Sequence, residues 1–241
     1  MKQSTSTTNQ HGQGLPEYAL LIAAIGLAVI GILSLLGIRV SDIYCEVAQG
    51  FGYDGSCNDL IFFDDFGSGG DNWYSFYGHD DNWSFNEGDD PNLCHTGDGG
   101  DVLLAEGSGG SDYNISADAN LSSGNGYGLF FRTTKNDAGR IEGYTFQYDP
   151  GYEGGQFIMR KWVNGYELWP PLSAAAPPDN FDWHNVDRQV EVEVEGDTFT
   201  AKVDGEEVLV GSDDSYPEGE AGIRTWGSSQ ACFDDFTVES R

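Results

Sequence analysis

Short segments in which apolar and polar residues alternate make up most of the chain beyond residue 59. In residues 190–195, valine and glutamate alternate without exception. Successive side chains of a strand point to opposite faces, so this pattern predicts a strand with one buried face. Comparable runs are separated by Gly, Asn, Asp and Pro, and Asp204-Gly205 is typical of a hairpin turn. These runs show no helical period, so the pattern predicts that this part of the chain forms an antiparallel β-sandwich.

The first 44 residues differ from the rest. Residues 18–38 are uncharged and long enough to span a bilayer, which needs about twenty apolar residues. Glu17 directly precedes this stretch, and a polar leader containing glycine precedes Glu17. A secretory signal has its cleavage site after the apolar run, whereas the candidate site here comes before it. We therefore predict an α+β modular chain, in which a single long N-terminal hydrophobic α-helix is followed by the sandwich, a jelly roll.

The order of leader, glycine, Glu17-Tyr18 and apolar helix resembles the type IV pilins, and most closely the Flp/Tad subclass. In that family a prepilin peptidase cuts after a glycine, and a Glu-Tyr pair follows as the fifth and sixth mature residues. The resemblance implies processing between Gly12 and Gln13. A cut after Gly14 would make Glu17 the third residue. The resemblance to the pilins further implies an assembly site in which Glu17, beside Tyr18, pairs with the amine of Gln13 in a neighbouring subunit.

The same resemblance implies a domain organisation. Residues 1–12 are expected to be the leader and residues 13–44 the helix, which spans the cytoplasmic membrane and later forms the filament core. Residues 45–60 would be a Gly-rich linker and residues 61–241 the sandwich. The chain would be a structural subunit of an extracellular Tad-like pilus, displaying its sandwich for adhesion or glycan contact. We accordingly expect no enzyme activity and no catalytic residue.

The partners and location follow from this assignment. The prepilin would lie in the cytoplasmic membrane, meet the prepilin peptidase and the pilus assembly platform, and then polymerise with copies of itself on the cell surface.

The chain carries 40 acidic and 11 basic residues, a formal net charge of −29. Residues 1–44 contain two acidic and two basic residues, so the whole excess of negative charge lies beyond residue 44. Such a surface argues against nucleic acid as a partner, because its phosphates need basic patches.

The four cysteines include no C-x-x-C pair, so they give little support to a zinc or redox site. An even number in an exported chain favours two disulfides, for which three connectivities exist. We predict Cys45–Cys57, which closes the linker, and Cys94–Cys232, which joins an early strand to the last one. Three sequons also permit glycosylation, at Asn82, Asn114 and Asn120.

Four segments of the sandwich occur in the order found in concanavalin A-like (laminin G-like) jelly rolls. Residues 63–66 and 233–236 both read Phe-Asp-Asp-Phe, residues 201–205 form the Asp-Gly hairpin, and residues 222–226 read Gly-Ile-Arg-Thr-Trp. The sequence is similar to that family over about residues 59–240. The family includes lectins, glycosidases, adhesion modules and structural spacers, so the resemblance implies the fold without selecting a function.

Aromatic residues are concentrated between residues 144 and 183, beside Asp149, Arg160 and a proline-rich loop. Sugar rings stack on aromatic side chains while nearby polar groups bind their hydroxyls. The alternative is that the aromatic residues fill the core. The pattern predicts a site for a glycan or another surface target, formed by Arg132, Tyr148, Tyr152, Trp162 and Trp169.

Two pairs of aspartates lie near the two ends of the sandwich, where terminal strands of jelly rolls often pair. Carboxylates that converge can bind Ca²⁺ through their hard oxygen atoms. The alternative is that one aspartate of each pair caps a turn and the other is solvated. We predict a structural Ca²⁺ site and expect no other cofactor; its ligands would be Asp64, Asp65, Asp234 and Asp235.

Three glutamates, Glu191, Glu193 and Glu195, share one strand face. Glycoside hydrolysis requires a pair of carboxylates, but no aromatic residue is interleaved with these three. The pattern therefore favours an outer, solvated face opposite three buried valines. Two alternatives to the pilin remain open. One is a membrane-anchored surface lectin or adhesin that does not polymerise, and the other is a secreted glycosidase-like enzyme.

Overall fold

The computed structural model describes residues 59–86, 88 and 90–241. This part of the chain is an antiparallel β-sandwich, as the alternating pattern predicted. Its helical structure is a single 3₁₀ turn, Asp80–Asn82, and none of its helices has the length and apolar character needed to cross a membrane. The predicted leader and apolar helix lie outside the described residues, and so do most of the linker and the residues Gly12, Gln13, Glu17, Tyr18, Cys45 and Cys57.

Within the described residues, each of the two sheets has eight strands. Sheet A contains β1 (Leu60–Asp64), β3 (Trp83–Asn86), β4 (Asn92–Thr96), β6 (Tyr113–Ser123), β12 (Asp187–Glu195), β13 (Thr198–Val203), β14 (Glu206–Ser212) and β16 (Gln230–Ser240). Their order is β14-β13-β12-β6-β16-β4-β3, and β1 also pairs with β16.

Sheet B contains β2 (Trp73–Tyr77), β5 (Asp101–Ala105), β7 (Tyr127–Lys135), β8 (Ile141–Asp149), β9 (Gln156–Val163), β10 (Tyr166–Glu167), β11 (Ser173–Ala175) and β15 (Glu220–Thr225). Their order is β10-β9-β8-β7-β15-β5-β2, and β11 also pairs with β9. Strands distant in sequence are thus neighbours, as in β7 beside β15.

The main core lies between the sheets. In β12, Val190, Val192 and Val194 are fully buried, as the alternation predicts. From sheet B, Tyr144 and Phe146 enter the same core. Burial of large apolar side chains contributes roughly 1.5–3 kcal/mol each, so this interior supplies much of the driving force for folding.

A buried polar pair joins β4 to β5. His95 is fully buried, with Nδ1 2.9 Å from the carbonyl oxygen of Ser229 and Nε2 2.7 Å from Asp101 Oδ2. Burial raises the pKa of Asp101, but hydrogen bonds from Asn82, His95 and the His79 backbone outweigh it, and the net pKa is below the ordinary value. The buried polar atoms of His95 and Asp101 therefore all have hydrogen-bond partners within the fold.

The predicted disulfide between Cys94 and Cys232 is confirmed. The two residues are directly opposite each other on β4 and β16. The bond joins residues 138 positions apart in the sequence, so it closes a loop that includes most of the sandwich.

Sheet B is buried on part of its outer face as well. A second apolar cluster there contains Phe130, Trp162 and Leu104, and Tyr74 and Phe76 pack against it. Beyond this cluster the outer face of sheet B becomes polar, and the candidate site begins there.

Candidate functional site

Four polar side chains meet on the outer face of sheet B, and we call them the arginine–glutamate cluster: Gln147 (β8), Arg160 (β9), Glu167 (β10) and Arg224 (β15). The sheet register explains how they meet. Gly128 of β7 pairs with Gln147 on one side and with Arg224 on the other. A Cβ at Gly128 would lie 2.5 Å from the carbonyl oxygen of Phe146. Since Gly128 has no side chain, the side chains of its two neighbours can both reach Glu167.

Glu167 holds the cluster together. Its Oε1 accepts hydrogen bonds from Gln147 Nε2, at 2.8 Å, and from Arg224 Nη1. Its Oε2 lies 3.2 Å from Arg160 Nε, which also donates to Gln147 Oε1 at 2.9 Å. The side chains of both arginines are 8% exposed, whereas that of Glu167 is 30% exposed. The two guanidinium groups are therefore fixed and largely desolvated, and the carboxylate is the member of the cluster that faces solvent.

Aromatic rings enclose the two arginines. The guanidinium of Arg224 lies 4.6 Å from the ring centroids of both Trp162 and Trp226. That of Arg160 lies 5.3 Å from the ring of Tyr152. Cation–π contacts of this kind strengthen when the cation is desolvated. They restrict the orientation of the guanidinium groups in addition to the hydrogen bonds.

Exposed aromatic side chains extend from the cluster toward solvent. Trp169 is 70% exposed and Tyr166 is 67% exposed, although both are large apolar residues. The ring centroid of Trp169 lies 6.4 Å from that of Tyr152. An exposed indole beside fixed hydrogen-bonding groups can stack on a ring whose polar substituents these groups bind.

Asp149, at the end of β8, adds a second carboxyl group near the cluster. Burial raises its pKa to about 6, and the charge of Glu167 contributes to the increase. The backbone N–H of Gly151, which donates to Asp149 Oδ1 at 3.0 Å, and the charge of Arg160 both oppose it. Because this pKa is about 6, Asp149 can exchange a proton in mildly acidic solution.

Three of the five residues predicted to form the ligand site lie together. Tyr152, Trp162 and Trp169 all lie at the arginine–glutamate cluster. The sequence feature that identified these three residues was the concentration of aromatic residues between residues 144 and 183.

Arg132 and Tyr148 lie elsewhere, and for them the predicted grouping is corrected. Tyr148 stacks on Tyr127 in the core, with ring centroids 4.9 Å apart, because even-numbered residues of β8 face inward. Arg132 lies within an irregularity in β7 and donates from Nε and Nη2 to the carbonyl oxygen of Ser111 at 2.9 and 2.7 Å.

Sequence reasoning missed Gln147, Glu167, Arg224 and Trp226. The alternation in β8 offered a signal for Gln147, since it places this residue opposite the core-facing tyrosines. No local pattern marks Glu167, whose strand has only two residues.

Residues 62–239 match the model of a family described as the 3-keto-alpha-glucoside-1,2-lyase-like domain. The chain belongs to this family. The matched residues include the whole arginine–glutamate cluster and nearly all of the sandwich.

Levanase of Bacillus subtilis (strain 168) is 27% identical over 146 residues, which are 58% of this chain and 20% of the levanase. The chain thus spans about a fifth of that enzyme. Among solved structures, the carbohydrate binding module CBM66 from Bacillus subtilis superposes with a TM-score of 0.57 at 24% identity, covering 70% of this chain and 96% of the module. A prokaryotic beta-1,3-1,4-glucanase (lichenase) from a mouse hindgut metagenome has a TM-score of 0.54 at 14% identity. The superposition covers 74% of this chain and 98% of the glucanase. These two structures show the fold.

The comparisons overturn two predictions for this lyase-like family member. The assignment as a pilin subunit is wrong, because the matched family and these relatives are carbohydrate-binding or carbohydrate-processing proteins. The expectation of no enzyme activity is contradicted as well, since the family is named after a lyase and two relatives are enzymes. These findings give no support to a prepilin peptidase or a pilus filament, and the glycan partner stays a prediction.

The predicted Ca²⁺ site does not fit the geometry of the lyase-like domain. Strands β1 and β16 do pair, but Asp64 is buried and accepts hydrogen bonds from Phe66 N at 2.7 Å and from Trp73 Nε1 at 2.8 Å. Asp65 accepts from the backbone of the next turn, and Asp234 accepts from the N–H of Asp235. Across residues 59–86, 88 and 90–241, no group of three or more His, Cys, Asp or Glu side chains could hold a metal ion.

The glutamates of β12 form a solvated outer face with their own counter-ions. Glu193 accepts a hydrogen bond from Lys202 Nζ at 2.6 Å and lies 3.3 Å from Arg241 Nη1. The hydrogen bond from Lys202 lowers the pKa of Glu193. A carboxylate held in its charged form is poorly suited to act as a general acid.

Two of the three sequon asparagines donate hydrogen bonds within the domain. Asn82 Nδ2 donates to Asp101 Oδ2 at 2.7 Å, and Asn120 Nδ2 donates to Asp187 Oδ1 at 2.6 Å. Asn114 lies half-buried in β6. Glycosylation of these residues stays a prediction.

Proposed function

We propose that this domain binds carbohydrate at the arginine–glutamate cluster and the aromatic side chains beside it. One observation carries the proposal: two desolvated arginines bound to Glu167 lie on the outer face of sheet B, and the ring of Tyr152 connects one of them, Arg160, to the exposed ring of Trp169. Planar donors, a carboxylate acceptor and a stacking surface are the groups that a hydroxyl-bearing ring requires.

The arrangement is also preorganised. Hydrogen bonds and aromatic contacts fix both guanidinium groups before any ligand arrives. Binding therefore costs little additional side-chain entropy, which is a main reason that rigid sites bind more tightly than mobile ones. Glu167 already accepts from Gln147, Arg160 and Arg224, and since a carboxylate has about four lone-pair sites, about one remains for a sugar hydroxyl.

The relatives support this class of ligand. CBM66 is named a carbohydrate binding module, and the matched segment of levanase belongs to an enzyme named for its action on levan. We therefore choose levan and a mixed-linkage β-1,3-1,4-glucan as the first polysaccharides to test.

The N-terminal sequence suggests where the domain works. We propose that residues 18–38 anchor the chain in the cytoplasmic membrane and that residues 45–60 link them to the sandwich outside. The disulfide between Cys94 and Cys232 supports an oxidising, extracytoplasmic location for the domain. This corresponds to the membrane-anchored surface lectin, without polymerisation.

The substitution Trp169→Ala tests the stacking surface. We expect the affinity for the bound polysaccharide to fall about ten-fold or more, because exposed tryptophans commonly dominate binding energy. The full chain in detergent would be measured by isothermal titration and by affinity electrophoresis. Val210→Ala is the matched control, since Val210 is 45% exposed on the other sheet. Equal loss in both variants, or no polysaccharide retained by the wild type, would contradict the proposal.

The raised pKa of Asp149 favours a second function, carbohydrate cleavage at the same site. Asp149 and Glu167 are two interacting carboxyl groups. Asp149, with a pKa of about 6, would protonate the glycosidic oxygen as its bond to the anomeric carbon breaks, and Glu167 would take a proton from the water that attacks this carbon. A general acid acts in its protonated form, so the rate should fall as the pH rises through about 6. We expect Asp149→Asn to abolish most cleavage of a 3-keto-α-glucoside or of levan, and Asp137→Asn, at an exposed turn, to change nothing. Absence of cleavage by the wild type at pH 5 would exclude this second function for these substrates.

A further inference from the structure

The arginine–glutamate cluster contains two guanidinium groups but one carboxylate. Arg160 and Arg224 both pair with Glu167, so these three side chains together carry one net positive charge. In the other ion pairs that Lys and Arg form among the described residues, each base has at least one carboxylate that no second base shares. The cluster is therefore a positively charged site on a chain whose formal net charge is −29.

Unpaired donors of the cluster are in contact with solvent. Arg160 donates from Nε to Gln147, whereas its terminal nitrogens Nη1 and Nη2 donate no hydrogen bond within the part of the chain that the structure describes. Nη2 of Arg224 donates none there either, since the bond to Glu167 comes from Nη1. Unlike Nε of Arg224, which is buried, these three nitrogens are reached by solvent. A ligand can therefore reach them as well.

The cluster offers a ligand more donors than acceptors. Glu167 is already bound by three side chains, and about one of its roughly four lone-pair sites remains. The side-chain oxygen of Gln147 accepts from Arg160 Nε. The groups that remain open are thus mainly N–H donors of positively charged side chains. A ligand that supplies a negatively charged acceptor complements them best, because hydrogen bonds between charged groups are the stronger ones.

The open nitrogens of Arg160 have the shape that a carboxylate requires. Nη1 and Nη2 of one guanidinium form a planar fork, and its donors match the two oxygens of a carboxylate. The ring of Tyr152 lies 5.3 Å from this guanidinium and 6.4 Å from the exposed ring of Trp169. A chain of sugar rings that stacks on Trp169 can therefore place the carboxylate of one ring on the fork.

From these features we infer that the cluster binds an acidic carbohydrate, a chain of uronic acid rings in which one carboxylate lies on the Nη1–Nη2 fork of Arg160. Nη2 of Arg224 would donate to an oxygen of the same chain, and Glu167 would accept from one hydroxyl. Such binding rests on the proposed carbohydrate function of this site and specifies its substrate class. The carboxyl group of Asp149 does not repel the ligand in mildly acidic solution, because burial raises its pKa to about 6.

The test is titration of the full chain in detergent with trigalacturonate and, separately, with its methyl ester. The two ligands have the same rings, but the ester carries no negative charge. The titrations are run at about pH 5, where most of Asp149 is uncharged and the uronate is ionised. Salt at about 0.15 M screens the distant acidic surface, since the Debye length is then about 8 Å. We expect the acid to bind at least about ten-fold more tightly than the ester.

Two variants should change this preference for the acid in opposite directions. Arg160→Lys keeps the positive charge but loses the fork, so the two affinities should come within about three-fold of each other. Glu167→Gln removes the negative charge of the cluster and keeps an acceptor oxygen, so the preference should increase. Arg241→Lys, at an exposed arginine beside sheet A, is the matched control. Both ligands are titrated into the same preparation, so a misfolded fraction does not change the ratio of their affinities.

Three outcomes would contradict the inference. Equal affinity for acid and ester, in a chain that also binds levan or the β-glucan, would overturn the acidic substrate class and leave the carbohydrate site intact. A preference for the acid that persists in Arg160→Lys would show that the carboxylate binds elsewhere. No binding of the acid, the ester or either polysaccharide would refute the proposed carbohydrate function together with the inference.

Discussion

Replacement of Arg224 by alanine is expected to reduce polysaccharide affinity at least 100-fold and to lower the free energy of unfolding by about 2–3 kcal/mol. Arg224 is sandwiched between Trp162 and Trp226 and donates to Glu167. Its removal leaves a gap between two indoles and deprives Glu167 of one partner. The stability loss stays below that of a fully buried ion pair because Glu167 is 30% exposed. Isothermal titration and urea unfolding measure the two effects.

A second variant separates charge from geometry at this position. Arg224→Lys keeps the positive charge but loses the planar group that stacks on the indoles, so most of the affinity loss should persist. Arg241→Ala removes an exposed arginine beside sheet A, away from the cluster, and is the control for net charge. Affinity equal to wild type in Arg224→Lys would show that charge alone suffices there.

The double substitution Cys94→Ala/Cys232→Ala is expected to lower the free energy of unfolding by about 2–5 kcal/mol. The disulfide connects positions 138 residues apart, and its loss enlarges the conformational freedom of the unfolded chain. For a domain of this size the melting temperature should fall by roughly 2–4 °C per kcal/mol. Polysaccharide affinity should remain within about two-fold, since the disulfide lies in sheet A and the arginine–glutamate cluster in sheet B.

Reductant provides the control for this variant. It should lower the melting temperature of the wild-type domain toward that of the double variant. A change below about 0.5 kcal/mol in the double variant would show that closing this long loop contributes little to stability.

Local patterns predicted the sandwich because strand geometry is a property of neighbouring residues. Alternation in residues 190–195 predicted which side chains of β12 are buried, and the three valines are indeed in the core. The same logic placed the glutamates outside, where Lys202 and Arg241 neutralise them. The pairing of Cys94 with Cys232 was also predictable, from the expectation that early and late strands of a jelly roll are adjacent.

The pilin assignment shows where a local pattern misleads. The motif around Glu17 occupies only the first part of the chain, outside the described residues. The family match covers residues 62–239 and concerns carbohydrate chemistry. A short motif therefore cannot assign the function of the larger domain that follows it.

The amino-acid sequence by itself determined the strands, their buried faces and the region in which aromatic residues concentrate, because each depends on residues close together in the chain. Only the tertiary structure decided the candidate site. Gln147, Glu167 and Arg224 meet because β8, β7 and β15 are neighbours in sheet B and Gly128 leaves space between two of them. Strand order and register depend on contacts between distant residues, so no local pattern in this sequence could have placed two arginines on one glutamate.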